Sequence, residues 1–329
     1  MAVSGGVDSM VLLHFFQRFA HKRYDCTFAA AHLDHGLRAE SFAQAESLAD
    51  YCQQQGIPLL RERRTPRRTH RQSSLEAQAR STRYAWFAQR RQSDGFDAVL
   101  TAHHATDQLE TALMQWVRGT SVPQGMRPLK HLTFEGVELP VVRPFLSVSR
   151  SDLEGYCRHY GLPYWEDRSN QDSGFMRNRL RSQVLPLLRL ENPGLESTIT
   201  EHTLVLQQEQ DYLRSSMLAH YSQCVSPRQD YSQAENQHPC QEATFTLHLQ
   251  PFDLLHIAIQ RLLIKEILTD LNAGVWKVFT TRHIEAILHL SVSQNRKALQ
   301  LPLGVVITKS KQGLVFRRVH AGEVSPDSR

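Results

Sequence analysis

Up to about residue 190 the chain alternates short, nearly unbroken apolar runs with longer stretches whose apolar residues recur every three or four positions. The runs "TFAAAHL" (27–33), "IPLL" (57–60) and "DAVLTAHH" (97–104) predict buried strands. The stretches "AESFAQAESLADYCQQQG" (39–56), "SLEAQARSTRYAWFAQRR" (74–91) and "TDQLETALMQWVRG" (106–119) predict helices, the first ending near Gly56 and the last near Gly119. Strands separated by helix-length stretches build βαβ units, so the expected fold is α/β with a doubly wound parallel sheet. In such sheets ligands bind beyond the carboxyl ends of the strands. The segments "AVSGG" (2–6), "AHLDHG" (31–36) and "TAHHATDQ" (101–108) should therefore converge on one crevice.

After "RNRLRSQVLPLLRLENPG" (177–194) the pattern changes. A polar, helix-like stretch leads into "SPRQDYSQAENQHPC" (226–240), which reads as a linker or loop. Beyond it, "FDLLHIAIQRLLIKEIL" (252–268) and "TRHIEAILHLS" (281–291) have helical periodicity, and "KALQLPLGVVITKSKQGLVFRRV" (297–319) reads as two strands joined at "KSKQG". The expected organisation is a catalytic domain over 1–195, a helical linker and loop over 196–248, and a smaller α+β domain over 249–329. There is no internal repeat.

Composition narrows the class. With 41% apolar residues and no run of eighteen, the chain is expected to be soluble, without a membrane span. No charged segment followed by an apolar one precedes the first motif, so no secretory signal is expected. Five cysteines without a C-x-x-C pair read as reduced thiols of a cytoplasmic protein, neither a disulfide frame nor a zinc site. The net charge of +5 is uneven: residues 1–190 hold 25 Lys and Arg against 19 Asp and Glu. Within them, "RERRTPRRTHR" (61–71) holds six arginines and one glutamate, either a contact for phosphates or a solvated loop.

The chemistry begins at "AVSGGVDSM" (2–10). Val11, Leu12, Phe15, Phe16 and Phe19 would share one face of a helix, so "SGG" is a loop feeding a helix N-terminus. Free amides and the positive end of the helix dipole suit an anion there. Gly5 and Gly6 admit close backbone approach, and Ser4 and Ser9 add hydroxyl donors. The G-x-x-x-x-G-K-[ST] spacing and its lysine are absent. Asp8 would repel a phosphate directly, so it serves either as a helix cap or as a ligand holding Mg²⁺ against phosphates.

"SGGVDS" (4–9) resembles the pyrophosphate loop of the N-type ATP pyrophosphatase (PP-loop) superfamily, whose members cleave ATP between the α and β phosphates and adenylate a substrate. The ordered motifs "HLDHGLR" (32–38), "EAQARSTRYAWF" (76–87), "TAHHATDQLET" (101–111), "RPFLSVSRSDLEGY" (143–156), "YWEDRSN" (164–170) and "RNRLRSQVLPLL" (177–188) resemble, together and over about residues 2–195, the tRNA(Ile)-lysidine synthetase family. The resemblance implies ATP held by Ser4, Gly5, Gly6, Val7, Asp8 and Ser9, with Mg²⁺ at Asp8 and Asp107. It implies adenylation of the wobble cytidine of an isoleucine tRNA with a CAU anticodon, and attack by the amine of free L-lysine. The oligomeric state stays open, a homodimer included.

His103 at a strand end and Asp107 at the next helix start should form the second wall of the site, as catalytic residues beside Asp8. His103 would contact phosphate or move a proton, and Asp107 would organise metal or phosphate. The alternative for Asp107 is a capping pair with Glu110. Arg177, Asn178 and Arg181, with Arg61, Arg63, Arg64, Arg67, Arg68 and Arg71, are the candidate tRNA contacts; a solvated helix face is the alternative for the first three. Tyr84, Trp86 and Phe87 read as core. Two departures from the family stand out: Thr106 replaces the first of two consecutive acids, and few residues precede "AVSGG", which shortens the first strand. Rival readings are a tRNA thiolase, disfavoured by the missing cysteine pair, a small-molecule amidating ligase, which leaves the arginine tract unexplained, and a catalytically impaired RNA-binding homologue.

Overall fold

In the computed structural model the apolar runs form strands whose carboxyl ends lie side by side. The structure describes every residue except 37–40, 65–74, 121, 135, 166–175, 229–243, 272–277, 295–296 and 320–329. Strand β1 (Ala30–Asp34) pairs in parallel with β2 (Leu59–Arg63). Strand β3 (Val99–Leu100) pairs in parallel with β5 (Val137–Val142), and β4 (Leu129–Phe134) closes the edge antiparallel to β5. Residues 1–3 join the two groups. The Ala2 amide donates to Leu100 O at 2.9 Å, the Val3 amide to Ala31 O at 2.9 Å, and the Ala31 amide to Met1 O at 2.7 Å. The short leading segment thus does the work of a central strand, giving the order β2, β1, residues 1–3, β3, β5, β4.

Both faces of this sheet are covered, which is why its strands read as continuous apolar runs and not as alternating ones. Helix α1 (Val7–Phe15) continues through a π-helical segment, Phe16–Ala20, into α2 (His21–Tyr24). Helix α3 (Ser41–Gln54) lies with α1 against Val3 and Ala30, through Met10, Leu13, Leu48 and Cys52. On the other face, α4 (Leu75–Asp94) packs Tyr84, Trp86 and Phe87 against Ala31, Leu33, Val99 and Val141, so the three aromatics are core as expected. Helix α5 (Ala105–Val117) follows β3, and α6 (Arg150–His159) packs on α1 through Leu153 and Cys157 against Val11 and Leu12.

The expected apolar face of α1 needs correction. Met10 and Leu13 enter one cluster and Val11 and Leu12 another, so α1 is buried on two sides, whereas Phe15 and Phe19 are exposed. The hairpin of β4 and β5 is absent from the expected strands because Leu129, Lys130, His131 and Thr133 on the edge strand face solvent, and no apolar run marks it.

Helices α7 (Met176–Arg179), α8 (Leu185–Glu191) and α9 (Leu195–Cys224) follow, with a π-helical segment, Leu180–Val184, between the first two. The chain divides into two compact units, Met1–Gln207 and Gln208–Arg329, with the division inside α9. The second unit is α+β. Strands β6 (Val225–Arg228), β7 (Thr244–His248), β8 (Ala298–Leu301), β9 (Val305–Lys309) and β10 (Gly313–Arg318) form an antiparallel sheet in the order β6, β7, β10, β9, β8. Helices α10 (Leu249–Phe252), α11 (Ile257–Leu271) and α12 (Thr281–Val292) cover it through Leu263, Ile267, Ile287 and Leu290. The expected "KSKQG" turn joins β9 and β10. Among the described residues no helix is long and apolar enough to cross a membrane.

Candidate functional site

A cleft of about 350 Å³ opens at the carboxyl ends of the strands, lined by Ser4, Gly6, Asp8, His32, Thr101 and His103 among others. The three segments expected to converge do so. Arg83, Tyr84 and Phe87 of α4 close its far side.

The loop at the mouth of α1 is organised by its serines. Ser9 Oγ accepts the amides of Ser4 and Gly5, each at 3.2 Å, and donates to Gly6 O at 2.9 Å. Gly6 is the N-cap of α1, so the amides just inside the helix have no intrahelical acceptors. Gly5 is held at φ +89°, a left-handed conformation, and a Cβ there would stand 2.7 Å from Trp165 Cε3. The Trp165 amide donates to Gly5 O at 3.0 Å. Both facts require glycine at position 5. They also tie "YWEDRSN" to the loop; residues 166–170 of that motif lie outside the described residues.

Asp8 does not cap α1, which makes no side-chain cap hydrogen bond. It faces α5 instead. The buried His104 stands between two acids, its Nε2 3.7 Å from Asp8 Oδ2 and 3.5 Å from Asp107 Oδ2. Burial raises the Asp8 carboxyl above the usual range, with Asp107 and Glu154 adding to the rise and His104 and Arg150 opposing it. Burial also pushes Asp107 up, but His104, Arg177 and His103 outweigh it, and the net displacement is downward. Among the described residues no cluster of three His, Cys, Asp or Glu side chains stands ready for a metal. Two carboxylates beside a phosphate-seeking loop nevertheless match how Mg²⁺ is held, by one or two acids with substrate phosphates and water supplying the rest.

Asp107 also fulfils the capping alternative, in a different pairing. Its Oδ2 accepts the His104 amide at 3.1 Å while His104 Nδ1 accepts the Thr106 amide at 3.2 Å, a reciprocal cap at the start of α5. Glu110 takes no part in that cap. It is wholly buried, and its two oxygens accept Arg177 Nε at 2.5 Å and Arg181 Nε at 2.6 Å. Arg177 Nη2 also donates to Asp107 Oδ1 at 2.7 Å. Arg177 and Arg181 are thus turned onto the acids of α5 and do not lie on a solvated face; Asn178, between them, is half-buried.

His103 accepts or donates a hydrogen bond with Thr101 Oγ1 at 2.8 Å. Burial lowers its pKa to about 4, with Arg143, Arg80 and Arg177 adding to the drop against Asp107. The imidazole is therefore neutral at pH 7. Neutral His103 suits hydrogen bonding to phosphate, and it is too weak a base to take the proton of an alkylammonium group unaided.

In the arginine tract, Arg61 pairs with Glu46 at 2.6 Å, Arg63 lies 3.4 Å from Asp34, and Arg64 pairs with Glu62. Glu62 also accepts Trp86 Nε1 at 2.6 Å. The Arg61 and Arg64 pairs are exposed on both sides and contribute little to stability, whereas Arg63 reaches from solvent to the buried Asp34. Arg67, Arg68 and Arg71 lie outside the described residues. Sequence reasoning missed His104 and the pairing role of Glu110. Residues three and four apart share a helix face, so the spacing of Asp107 and Glu110 was the available signal for the latter.

A family model described as the PP-loop domain matches residues 1–188. The chain is 36% identical over 227 residues to the tRNA(Ile)-lysidine synthase of Enterococcus faecalis, covering 69% of this chain and 48% of that protein. It is 32% identical over 321 residues to the enzyme of that name from Geobacillus kaustophilus, covering 96% and 66%. For Dehalococcoides mccartyi the figures are 30% over 312 residues, 93% and 63%. The chain spans about half to two thirds of the length of these relatives. Among solved structures, the U34-tRNA thiolase from Methanococcus maripaludis matches with a TM-score of 0.53 at 15% identity, covering 63% of this chain and 70% of that one, a likeness of fold.

Proposed function

The chain belongs to the PP-loop domain family, and from that premise we propose that it uses ATP to join free L-lysine to C2 of the wobble cytidine of an isoleucine tRNA with a CAU anticodon. The observation that carries the reading is that the 4–9 loop lines one cleft with His32, Thr101 and His103, while its Asp8 stands beside His104 and, across it, Asp107. In this reading the open amides of Val7 and Asp8 at the helix start bind the phosphates of ATP, and the Ser4 and Gly5 amides and the Ser4 and Ser9 hydroxyls exchange their bonds within the loop for phosphate oxygens. Asp8 and Asp107 hold Mg²⁺, which when bound offsets charge on the phosphate oxygens. His104 keeps the two carboxylates apart and oriented, and neutral His103 donates a hydrogen bond to a phosphate oxygen.

The cytosine C2 oxygen attacks the α-phosphorus and pyrophosphate leaves; the lysine amine then adds at C2 and AMP leaves. The amine must first lose its proton. Arg177 and Arg181 sit on the α5 acids and exchange those partners for phosphates when RNA enters, while Asn178 and the arginines of 61–71 contact the RNA backbone. The names of the relatives support lysidine formation over sulfur transfer, as does the lack of a C-x-x-C pair.

Incubation with ATP, Mg²⁺, labelled lysine and that tRNA tests the reading. Label should enter the RNA with equal amounts of AMP and pyrophosphate. A tRNA carrying uridine at the wobble position should stay unlabelled, because it lacks the exocyclic amine that lets the ring rearrange. ATP cleavage with no lysine in the RNA would sink the proposal.

A further inference from the structure

Far along α1 from the phosphate loop, the protein exposes rings and cations that the cleft does not use. Phe15, Arg18, Phe19 and Lys22 follow the spacing i, i+3, i+4, i+7 and point outward together. Phe15 stands about 12 Å along α1 from Val7, at 1.5 Å per residue, and Phe19 lies beyond it in the π-helical segment. Phe15 is 38% and Phe19 41% exposed, large fractions for phenylalanine, and their rings are 5.6 Å apart. The ring system continues onto α6. Phe15 lies 6.4 Å from Tyr156, and Tyr156 lies 4.5 Å from Tyr160. The Arg18 guanidinium spans both helices, 5.5 Å from the Phe19 ring and 5.1 Å from that of Tyr160.

Cations predominate on this surface, the α6 acids Asp152 and Glu154 lying nearer the start of that helix, where Glu154 pairs with Arg150. Arg18, Lys22, Arg23 and Arg158 are exposed, and none of them enters an ion pair among the described residues. Residues 14–25 contain one acid, Asp25, and residues 156–160 contain none. Packing accounts for part of Phe15, whose ring touches Phe145 at 6.1 Å, but not for the outward faces of Phe15 and Phe19.

We propose that this surface of α1, α2 and α6 binds unstacked RNA, the exposed rings stacking on bases and the four cations meeting phosphates. Aromatic rings interleaved with unpaired cations are the usual equipment for single-stranded nucleic acid, since every base has a π-face and every nucleotide a phosphate. Protein interfaces share the enrichment in aromatics and arginine, but their centres are depleted in charge and in lysine, and here four cations without ion pairs among the described residues lie with the rings. The inference rests on the reading of the chain as an RNA-modifying enzyme and adds a second RNA contact outside the cleft.

The test measures binding of two RNAs, the CAU isoleucine tRNA and a single-stranded decamer, to the full chain from about 50 to 300 mM salt. Phe19→Ala should weaken binding of both by about five-fold or more, the lower end for loss of one base–ring stack. Arg18→Gln with Lys22→Gln should flatten the log–log salt slope for the decamer by about 1.4, or 0.7 for each lost phosphate contact. ATP affinity measured by calorimetry without RNA, and the thermal melting profile, should match the native chain in both variants, which also verifies their folding. Unchanged affinity and slope in both variants would overturn the proposal. So would a change in sedimentation with RNA binding intact, which would make the surface a protein interface. A native chain that binds RNA through these residues but transfers no lysine would defeat the proposed reaction and leave the surface standing. Lysine transfer with unaffected variants would do the reverse.

Discussion

Glu110→Gln removes one charge and almost no volume, so its effect isolates the electrostatics beneath the site. Glu110 has no exposed surface and receives Arg177 at 2.5 Å and Arg181 at 2.6 Å, while those side chains keep 31% and 29% of their exposure. Removing one partner of a fully buried pair costs about 3–5 kcal/mol. Two facts reduce that here: the guanidinium groups reach water, and Asp107 retains Arg177 at 2.7 Å. The expected loss is about 2–3 kcal/mol, or a fall in melting temperature of roughly 4–12 °C for a unit of this size. Urea unfolding measures it, in a cycle with Arg181→Met. The pair should show a coupling of at least about 1 kcal/mol. Arg61→Ala, which breaks an exposed pair, should cost less than about 1 kcal/mol. A Glu110→Gln loss below about 0.5 kcal/mol would mean that the arginines are already solvated and that the cluster does not organise α5.

Three further outcomes follow from the geometry. Asp8→Ala should abolish Mg²⁺-dependent turnover while leaving the circular dichroism spectrum unchanged; normal turnover with normal Mg²⁺ dependence would remove Asp8 from the metal site. Gly5→Ala should abolish ATP binding measured by calorimetry, because φ +89° and the Trp165 ring both exclude a Cβ, and native-like affinity would show that the loop shifts freely. His103 is depressed to about 4 from 6.5, so between these values the unfolded chain binds the extra proton. Stability should be full above about pH 6.5 and fall by roughly 2–3 kcal/mol as pH drops toward 4. His103→Asn should flatten that stretch of the stability profile, and an unaltered profile would assign the acid sensitivity elsewhere.

The sheet was legible because Ala30 packs toward α1 and α3 while Ala31 and Leu33 pack toward α4. Two-sided burial writes itself as an unbroken apolar run. The loop was legible because few residue sets other than "SGG" before an apolar helix leave backbone amides open to an anion. Other features depended on partners distant in sequence. Phe15 and Phe19 carry the same helical periodicity as a core stripe, so hydropathy alone cannot tell an exposed ring from a buried one. Choosing between His103 and His104 requires knowing which side chain turns under α5, a matter of backbone geometry at one strand end. Glu110 looks like a capping residue until Arg177, 67 residues later, arrives beside it.

Val3 is bonded covalently to Ser4, so the rung that unites the sheet ends where the phosphate loop starts. A ligand on the loop therefore also holds the strand order together. Occupancy at a hundred times the dissociation constant contributes about 2.7 kcal/mol to the state in which residues 1–3 are inserted. Amide exchange at Ala2, Val3 and Ala31 should slow when ATP binds, although the last of these does not line the loop itself. In the proposed reading, nucleotide and sheet are thermodynamically linked through one peptide bond: whatever loosens the first three residues should weaken ATP binding, and ATP in turn should resist their release.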